Sequence, residues 1–164
     1  MATINKIAPC LWFDSEAEEA AKFYCSIFPN SKIDSISHYG AEGVESHRRP
    51  VGSVMFVAFT LDGQKFNGLN GGPQFKFSEA VSFMVYCKDQ AEIDHYWNKL
   101  TEGGEPSVCG WLKDKFGLSW QIVSADLERM IGSSDPATRD RVMKVVMEMR
   151  KPILADLKRA YDGQ

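Results

Sequence analysis

The chain has 164 residues, a formal net charge of -3 and an apolar fraction of 44%. That length buries roughly two thirds of the unfolded surface, so the chain needs neither disulfides nor a structural metal to fold. The acidic balance speaks against a protein that binds a nucleic-acid backbone, and the longest apolar run, Val54 to Phe59, is far too short to span a bilayer.

The first nine residues, MATINKIAP, read as no secretory signal, so a cytoplasmic setting is expected. Lys6 to Asp14, KIAPCLWFD, reads as an extended start, with Pro9 fitting an edge strand. Asp14 or Ser15 is a candidate cap for the next helix, and Ser15 with Glu18 forms a candidate capping box. Ala17, Ala20, Ala21, Phe23, Tyr24, Ile27 and Phe28 then recur at near-helical spacing until Pro29-Asn30. Ser31 to Tyr39 alternates loosely, and Gly40 to Pro50 reads as a surface loop containing His47. Val51 to Leu61 is the clearest strand. Asp62-Gly63 turns it back into Gln64 to Asn70, and Gly71-Gly72-Pro73 breaks the hairpin.

The pattern then repeats. Ala80 to Cys87 reads as a strand, Asp89 with Glu92 as a second cap, and Ile93, Tyr96, Trp97 and Leu100 as a helical stripe ending at Gly103-Gly104. A polar stretch leads to CGWLKDKFGLSWQIV, Cys109 to Val123, which reads as strand, turn at Phe116-Gly117, and strand. A βαβββ unit occurring twice is the economical interpretation. Asp126 to Met130 is a short turn. Asp135-Pro136 caps a helix striped by Val142, Val146 and Met149, with Met143 and Met147 beside them. Pro152 precedes a last helix carrying Ile153, Leu154, Leu157 and Tyr161. The methionines are expected to pack against the sheet or a second subunit. Cys10, Cys25, Cys87 and Cys109 lack CxxC spacing and are expected to be free thiols.

The stretches IAPCLWFD, EEAAKFYCSIFPNSKI, FNGLNGGPQFKFSEAVSF and CGWLKDKFGLSWQIV resemble the PhnB-like branch of the vicinal oxygen chelate superfamily. That superfamily includes glyoxalase I, extradiol dioxygenases and bleomycin- and fosfomycin-resistance proteins, and this branch often bears the label 3-demethylubiquinone-9 3-methyltransferase domain. The resemblance implies an α+β fold in which paired βαβββ modules form a half-open barrel-like cleft, with C-terminal helices. The implied division is a paired domain over residues 1–125, with modules at about 4–72 and 80–125, followed by a helical extension over 126–164. It also implies homodimers.

In metal-dependent relatives the ligands are usually histidines and glutamates. By resemblance those positions fall here near Ile7 to Pro9, in the Asn67 to Asn70 region, at Ser82 and at Gln121. Neutral amides and a hydroxyl are weak ligands for divalent transition ions. No cofactor is therefore expected, and a bound divalent metal is the minor alternative. Strand parity allows only one of Phe66-Gly68-Asn70 and Lys65-Asn67-Leu69 to face a cleft.

Asn67, Asn70, Ser82, Cys109, Trp111, Trp120 and Gln121 are the ligand-binding candidates. Gln121 is either a hook for a small molecule or a partner to a core neighbour. Trp111 and Trp120 are either cleft walls or core. Cys109 is a nucleophile only with a base or cation beside it. Gly68, Gly71 and Gly72 allow either close backbone approach or only a turn. Asp114 is expected to cap amides in the Phe116-Gly117 turn.

Three functions follow. The first is binding of a small molecule without the customary metal. The second is an enzyme: a metal-dependent lyase, isomerase or dioxygenase, or the methyltransferase of the label, although no glycine-rich nucleotide loop follows a strand. The third is a dimeric structural or interaction protein. No membrane or nucleic-acid partner is expected.

Overall fold

Pro9 stands immediately before a strand at the edge of its sheet, where a missing N–H costs nothing. In the computed structural model, which describes residues 6–164, β1 (Cys10–Phe13) forms that edge of a four-stranded sheet. It runs parallel to β4 (Gln64–Asn70), and β3 (Val54–Leu61) and β2 (Lys32–His38) follow in antiparallel order. The tight turn at Asp62-Gly63 joins β3 to β4 as expected. Helix α1 (Ala17–Ile27) buries Ala17, Ala20, Ala21, Tyr24 and Ile27 on one face of this sheet. Tyr24 stacks on Phe59 with centroids 6.4 Å apart, and Phe59 on Phe66 at 5.6 Å. The stretch expected as a loop, Gly40 to Pro50, holds the short helix α2 (Val44–His47).

The expected capping box at α1 does not form. Glu18 pairs with Lys22 one turn on, and Asp14 is engaged by Arg49. The first helical N–H, that of Ala17, is instead accepted by Asn70 Oδ1 at 2.8 Å.

The second sheet repeats the first. β5 (Phe83–Cys87) lies parallel to β8 (Ser119–Ser124), then β7 (Trp111–Lys113) and β6 (Glu105–Pro106) run antiparallel. Helix α3 (Gln90–Thr101) is capped by Asp89, which accepts from the Glu92 N–H at 2.9 Å. Its buried face carries Ile93, Trp97 and Leu100. The doubled βαβββ reading of the sequence is thus the observed topology, an α+β fold. The chain divides into two compact units at Lys76 and Phe77, inside the interval left between the two expected modules. Residues 1–5, which include the start of the first module and most of MATINKIAP, lie outside the described residues.

The C-terminal helices belong to the second unit. α4 (Leu127–Ile131), α5 (Pro136–Glu148) and α6 (Leu154–Asp162) close on a small core of Met130, Val142, Val146, Leu157 and Ala160. Asp135 caps α5 through the Ala137 and Thr138 amides, with Pro136 in the first turn. Gln90 of α3 holds the segment before α6 from both sides. Its Oε1 accepts from the Leu154 N–H at 2.9 Å, and its Nε2 donates to the Pro152 carbonyl at 3.2 Å. Lys151 adds an ion pair to Asp94 at 2.6 Å. Met149 packs partly against the small core, whereas Met143 and Met147 are exposed.

The four cysteines are free thiols. Burial, helped by the nearby carboxylates Glu92 and Asp89, pushes the Cys87 thiol up to about 12. The thiolate is the reactive form, so native protein treated with a maleimide at neutral pH is expected to label at exposed Cys10 and not at Cys87. Intact-mass analysis with and without urea checks this. Early labelling of Cys87 in the native protein would contradict its placement.

Candidate functional site

Side chains alternate across a strand, so the register of the second sheet sorts its residues onto two faces. Trp120 is opposite Leu112 on β7 and beside Phe83 on β5. With Val85 and Ile122 they form the face that α3 covers, and Trp120 is 3% exposed. Gln121 is opposite Trp111 and beside Met84, and Ser119 is opposite Lys113. These residues make up the face turned away from α3.

The two tryptophans therefore separate. Trp111 is half-buried on the face that carries Gln121. Trp120 is a core residue, and its indole N–H donates to Asp114 Oδ2 at 2.8 Å. That excludes Trp120 as a cleft wall, because hiding a tryptophan requires a partner for its N–H, and Asp114 supplies one on the covered side. Asp114 Oδ1 also accepts from the Phe116 and Leu118 amides at 2.9 and 3.1 Å. The capping role expected of Asp114 is realised, with the indole added.

Gln121 is half-buried. Its Nε2 donates to Ser82 Oγ at 2.8 Å, so these two candidates are brought together. Ser82 lies one residue before β5 rather than within it.

Cys109 is not in a strand. It adopts a left-handed backbone, φ 57°, and its N–H donates to the Met149 carbonyl at 2.8 Å. Gly110 donates likewise to the Arg150 carbonyl at 2.8 Å. Gly110 has φ 82°, and a Cβ there would stand 2.5 Å from the Ile122 carbonyl oxygen, so this turn needs glycine. The Cys-Gly pair thus fastens the tail. Cys109 borders the cavity described below; among the described residues no basic side chain is bonded to its sulfur, which donates to the Met147 carbonyl at 4.0 Å.

In the first unit, Asn67 and Leu69 occupy the face turned away from α1, with Cys10 and Ala58 as neighbours of Asn67. Asn70 lies on the covered face and is 3% exposed. Its Oδ1 accepts from Ala17, its Nδ2 donates to the Val54 carbonyl at 3.0 Å, and its own carbonyl accepts from the Tyr39 hydroxyl at 2.7 Å. Both ends of the Asn70 amide are thus engaged by the backbone of its own unit, which gives this candidate a structural role. The double glycine is explained by packing. A Cβ on Gly71 would come within 2.1 Å of the Trp12 ring, whose N–H donates to the Gly72 carbonyl at 2.8 Å.

A cavity of about 420 Å³ opens in the second unit. Trp111, Lys113, Ser119, Cys109, Glu79 and Glu105 are on its walls. Lys113 Nζ pairs with Glu79 Oε1 at 2.6 Å. Glu79 holds the Lys113 ammonium above its usual range, and Lys113 holds the Glu79 carboxyl below its own. Ser119, two residues before Gln121, is about 7 Å along the same face. Sequence reasoning missed Ser119, Glu79 and the cavity role of Lys113. Counting back by two from Gln121 would have found Ser119, but the pairing with Lys113 required the register.

The donor set does not fit a divalent transition ion. Gln121 and Ser82 are neutral and bonded to each other, and Ile7 to Pro9 offer no ligand side chain. No group of three or more His, Cys, Asp or Glu among the described residues is placed to hold a metal. His47 lies against Tyr39 at 4.4 Å, and exposed His95 is on α3, as expected from its helical setting. No helix among the described residues is long and apolar enough to cross a membrane.

Residues 5–123 match the family model described as 3-demethylubiquinone-9 3-methyltransferase. A solved structure from Bacillus cereus, described as a putative 3-demethylubiquinone-9 3-methyltransferase, PhnB protein, is 37% identical, covers 74% of this chain and 100% of its own, and has a TM-score of 0.66. A Pseudomonas aeruginosa protein is 17% identical over 74% of this chain and 98% of its own, with a TM-score of 0.58. The fosfomycin resistance protein FosX from Listeria monocytogenes, solved with Mn(II) and sulfate, is 12% identical over 80% of this chain and 96% of its own, at 0.52. The last two share the fold alone. A comparison with curated proteins found no match.

Proposed function

Since the chain belongs to the 3-demethylubiquinone-9 3-methyltransferase family, with its PhnB-like and glyoxalase/bleomycin-resistance fold, we propose that it binds a small organic molecule on the α3-free face of its second sheet, without a bound metal. The observation that carries this is the cavity of about 420 Å³, in which an indole wall meets a cation and a buried hydroxyl. An apolar wall with a few convergent polar groups is the usual makeup of a small-molecule site. Gln121 extends the polar row along β8, and its Oε1 can accept while Nε2 holds Ser82. The groups on this face bind and orient. Methyl transfer, the reaction in the family description, is not part of this proposal. A homodimer belongs to the same reading, and sedimentation velocity of the full chain tests it.

Gln121→Ala removes one half-buried neutral hydrogen bond, a loss of about 1 kcal/mol. The variant is expected to fold, with a urea midpoint lowered by about 0.5 M, and to bind more weakly than wild type in a fragment screen followed by ligand-observed NMR. Metal analysis of protein purified without chelator is expected to find far less than one ion per chain. A stoichiometric tightly held ion, or fragments whose binding ignores both Gln121→Ala and Trp111→Ala, would overturn the proposal.

A further inference from the structure

Ser119 is 1% exposed, and its hydroxyl is the one buried side-chain polar atom among the described residues that has no hydrogen-bond partner. A buried hydroxyl left unpaired is costly, and folded proteins keep few of them. Ser119 borders the cavity, directly opposite Lys113 in the β7–β8 register. A hydroxyl and an ammonium side by side on one sheet face are two donors with one natural acceptor between them, a carboxylate. In the structure Lys113 already holds one, that of Glu79, at 2.6 Å. Glu79 lies on the irregular segment before β5, and its side chain is 61% exposed, against 38% for Lys113. Such an exposed pair is weak and easily exchanged.

We propose that this cavity takes an organic monocarboxylate with an aromatic or apolar body, and that Glu79 holds the place of the ligand carboxylate in the free protein. The inference rests on the small-molecule binding reading above. The incoming carboxylate replaces Glu79 on Lys113 and accepts the Ser119 hydroxyl, while the body lies against Trp111. Glu79 swings to solvent, so the charge beside Lys113 is conserved. Glu105, directly opposite Lys113 on β6, remains on the rim. A cationic ligand would instead set a second ammonium beside Lys113 in the same cavity, at a like-charge cost.

The test uses the full chain and a set of aryl carboxylates such as phenylacetate, each with its matched primary amide and matched amine. Affinities come from ligand-observed NMR titration. Carboxylates are expected to bind at least about tenfold more tightly than their amides, since they gain charge-assisted hydrogen bonds. Glu79→Gln removes the internal competitor and is expected to tighten carboxylate binding, while Lys113→Met loses about tenfold or more. Ser119→Ala gives the independent signature: its Tm rises by about 2 °C because the unpaired hydroxyl is gone, yet carboxylate binding weakens. A melting curve confirms that Lys113→Met is folded. Equal binding of amides or amines, or a Glu79→Gln protein with unchanged or weaker carboxylate affinity, overturns the carboxylate assignment. If amides bind and Gln121→Ala weakens them, the binding function stands and only the ligand class fails. If no compound of any class binds, both fail.

Discussion

Asp114→Ala is expected to destabilise the protein by about 4 kcal/mol, the largest effect of any single truncation considered. Asp114 is 3% exposed and accepts three hydrogen bonds, from the Phe116 and Leu118 amides and the Trp120 indole. Each donor left without an acceptor costs roughly 1–3 kcal/mol if it stays dry. Leu118 and Trp120 are both buried, so water cannot readily replace the carboxylate for them. The Phe116 amide belongs to a half-buried residue and recovers some hydration. Asp114→Asn keeps one acceptor oxygen but turns an NH2 toward a donor, so it is expected to fall between wild type and alanine. Urea unfolding followed by far-UV circular dichroism reads both. Trp120→Phe removes the indole donor, and the double variant should lose less than the sum of the singles. A loss below about 1 kcal/mol for Asp114→Ala would show that the carboxylate is not the organiser of this turn.

The second large effect is expected at Asn70. Asn70→Ala leaves the Ala17 N–H at the start of α1 and the Val54 carbonyl without their partners. Loss of an N-capping acceptor costs about 1 kcal/mol, and the half-buried Val54 carbonyl, left without its donor, adds about 1 kcal/mol. A total near 2 kcal/mol is expected from urea denaturation, where a shift under about 0.5 kcal/mol would remove Asn70 from its structural role. Asn70→Asp retains the Oδ1 acceptor for Ala17 but loses the donor to Val54, and it should be milder at the helix end than at the strand. Asn67→Ala is the matched control: on the other face of the same strand it is half-buried, and it should change stability little.

Asn67 and Asn70 illustrate how far the sequence reaches. Alternation along Gln64 to Asn70 required that they face opposite ways, and they do. Which one faced the helix depended on the parallel pairing of β4 with β1. The cap of α1 shows the same limit. Ser15 and Glu18 carry a capping-box pattern, yet the acceptor came from Asn70, far along the chain, because Asp14 and Glu18 had closer cationic partners. Local motifs state which groups are able to cap, while the tertiary neighbours select among them.

The sequence by itself determined the two βαβββ repeats, the C-terminal helices, the Asp89 and Asp135 caps and the capping of the Phe116-Gly117 turn by Asp114. Those features rest on hydrophobic period and on contacts a few residues apart, both of which are visible in one dimension. Only the tertiary structure decided that Trp120 is core and Trp111 is not, that Asn70 is a cap, that Cys109 fastens the tail, and that Ser119 meets Lys113 beside a cavity. Apart from Cys109, which lies outside the strands and is held by long-range backbone bonds, these depend on strand register, and shifting a strand by one residue exchanges its two faces. Register is set by the sum of many packing contacts across the sheet, so no single stretch of the chain encodes it.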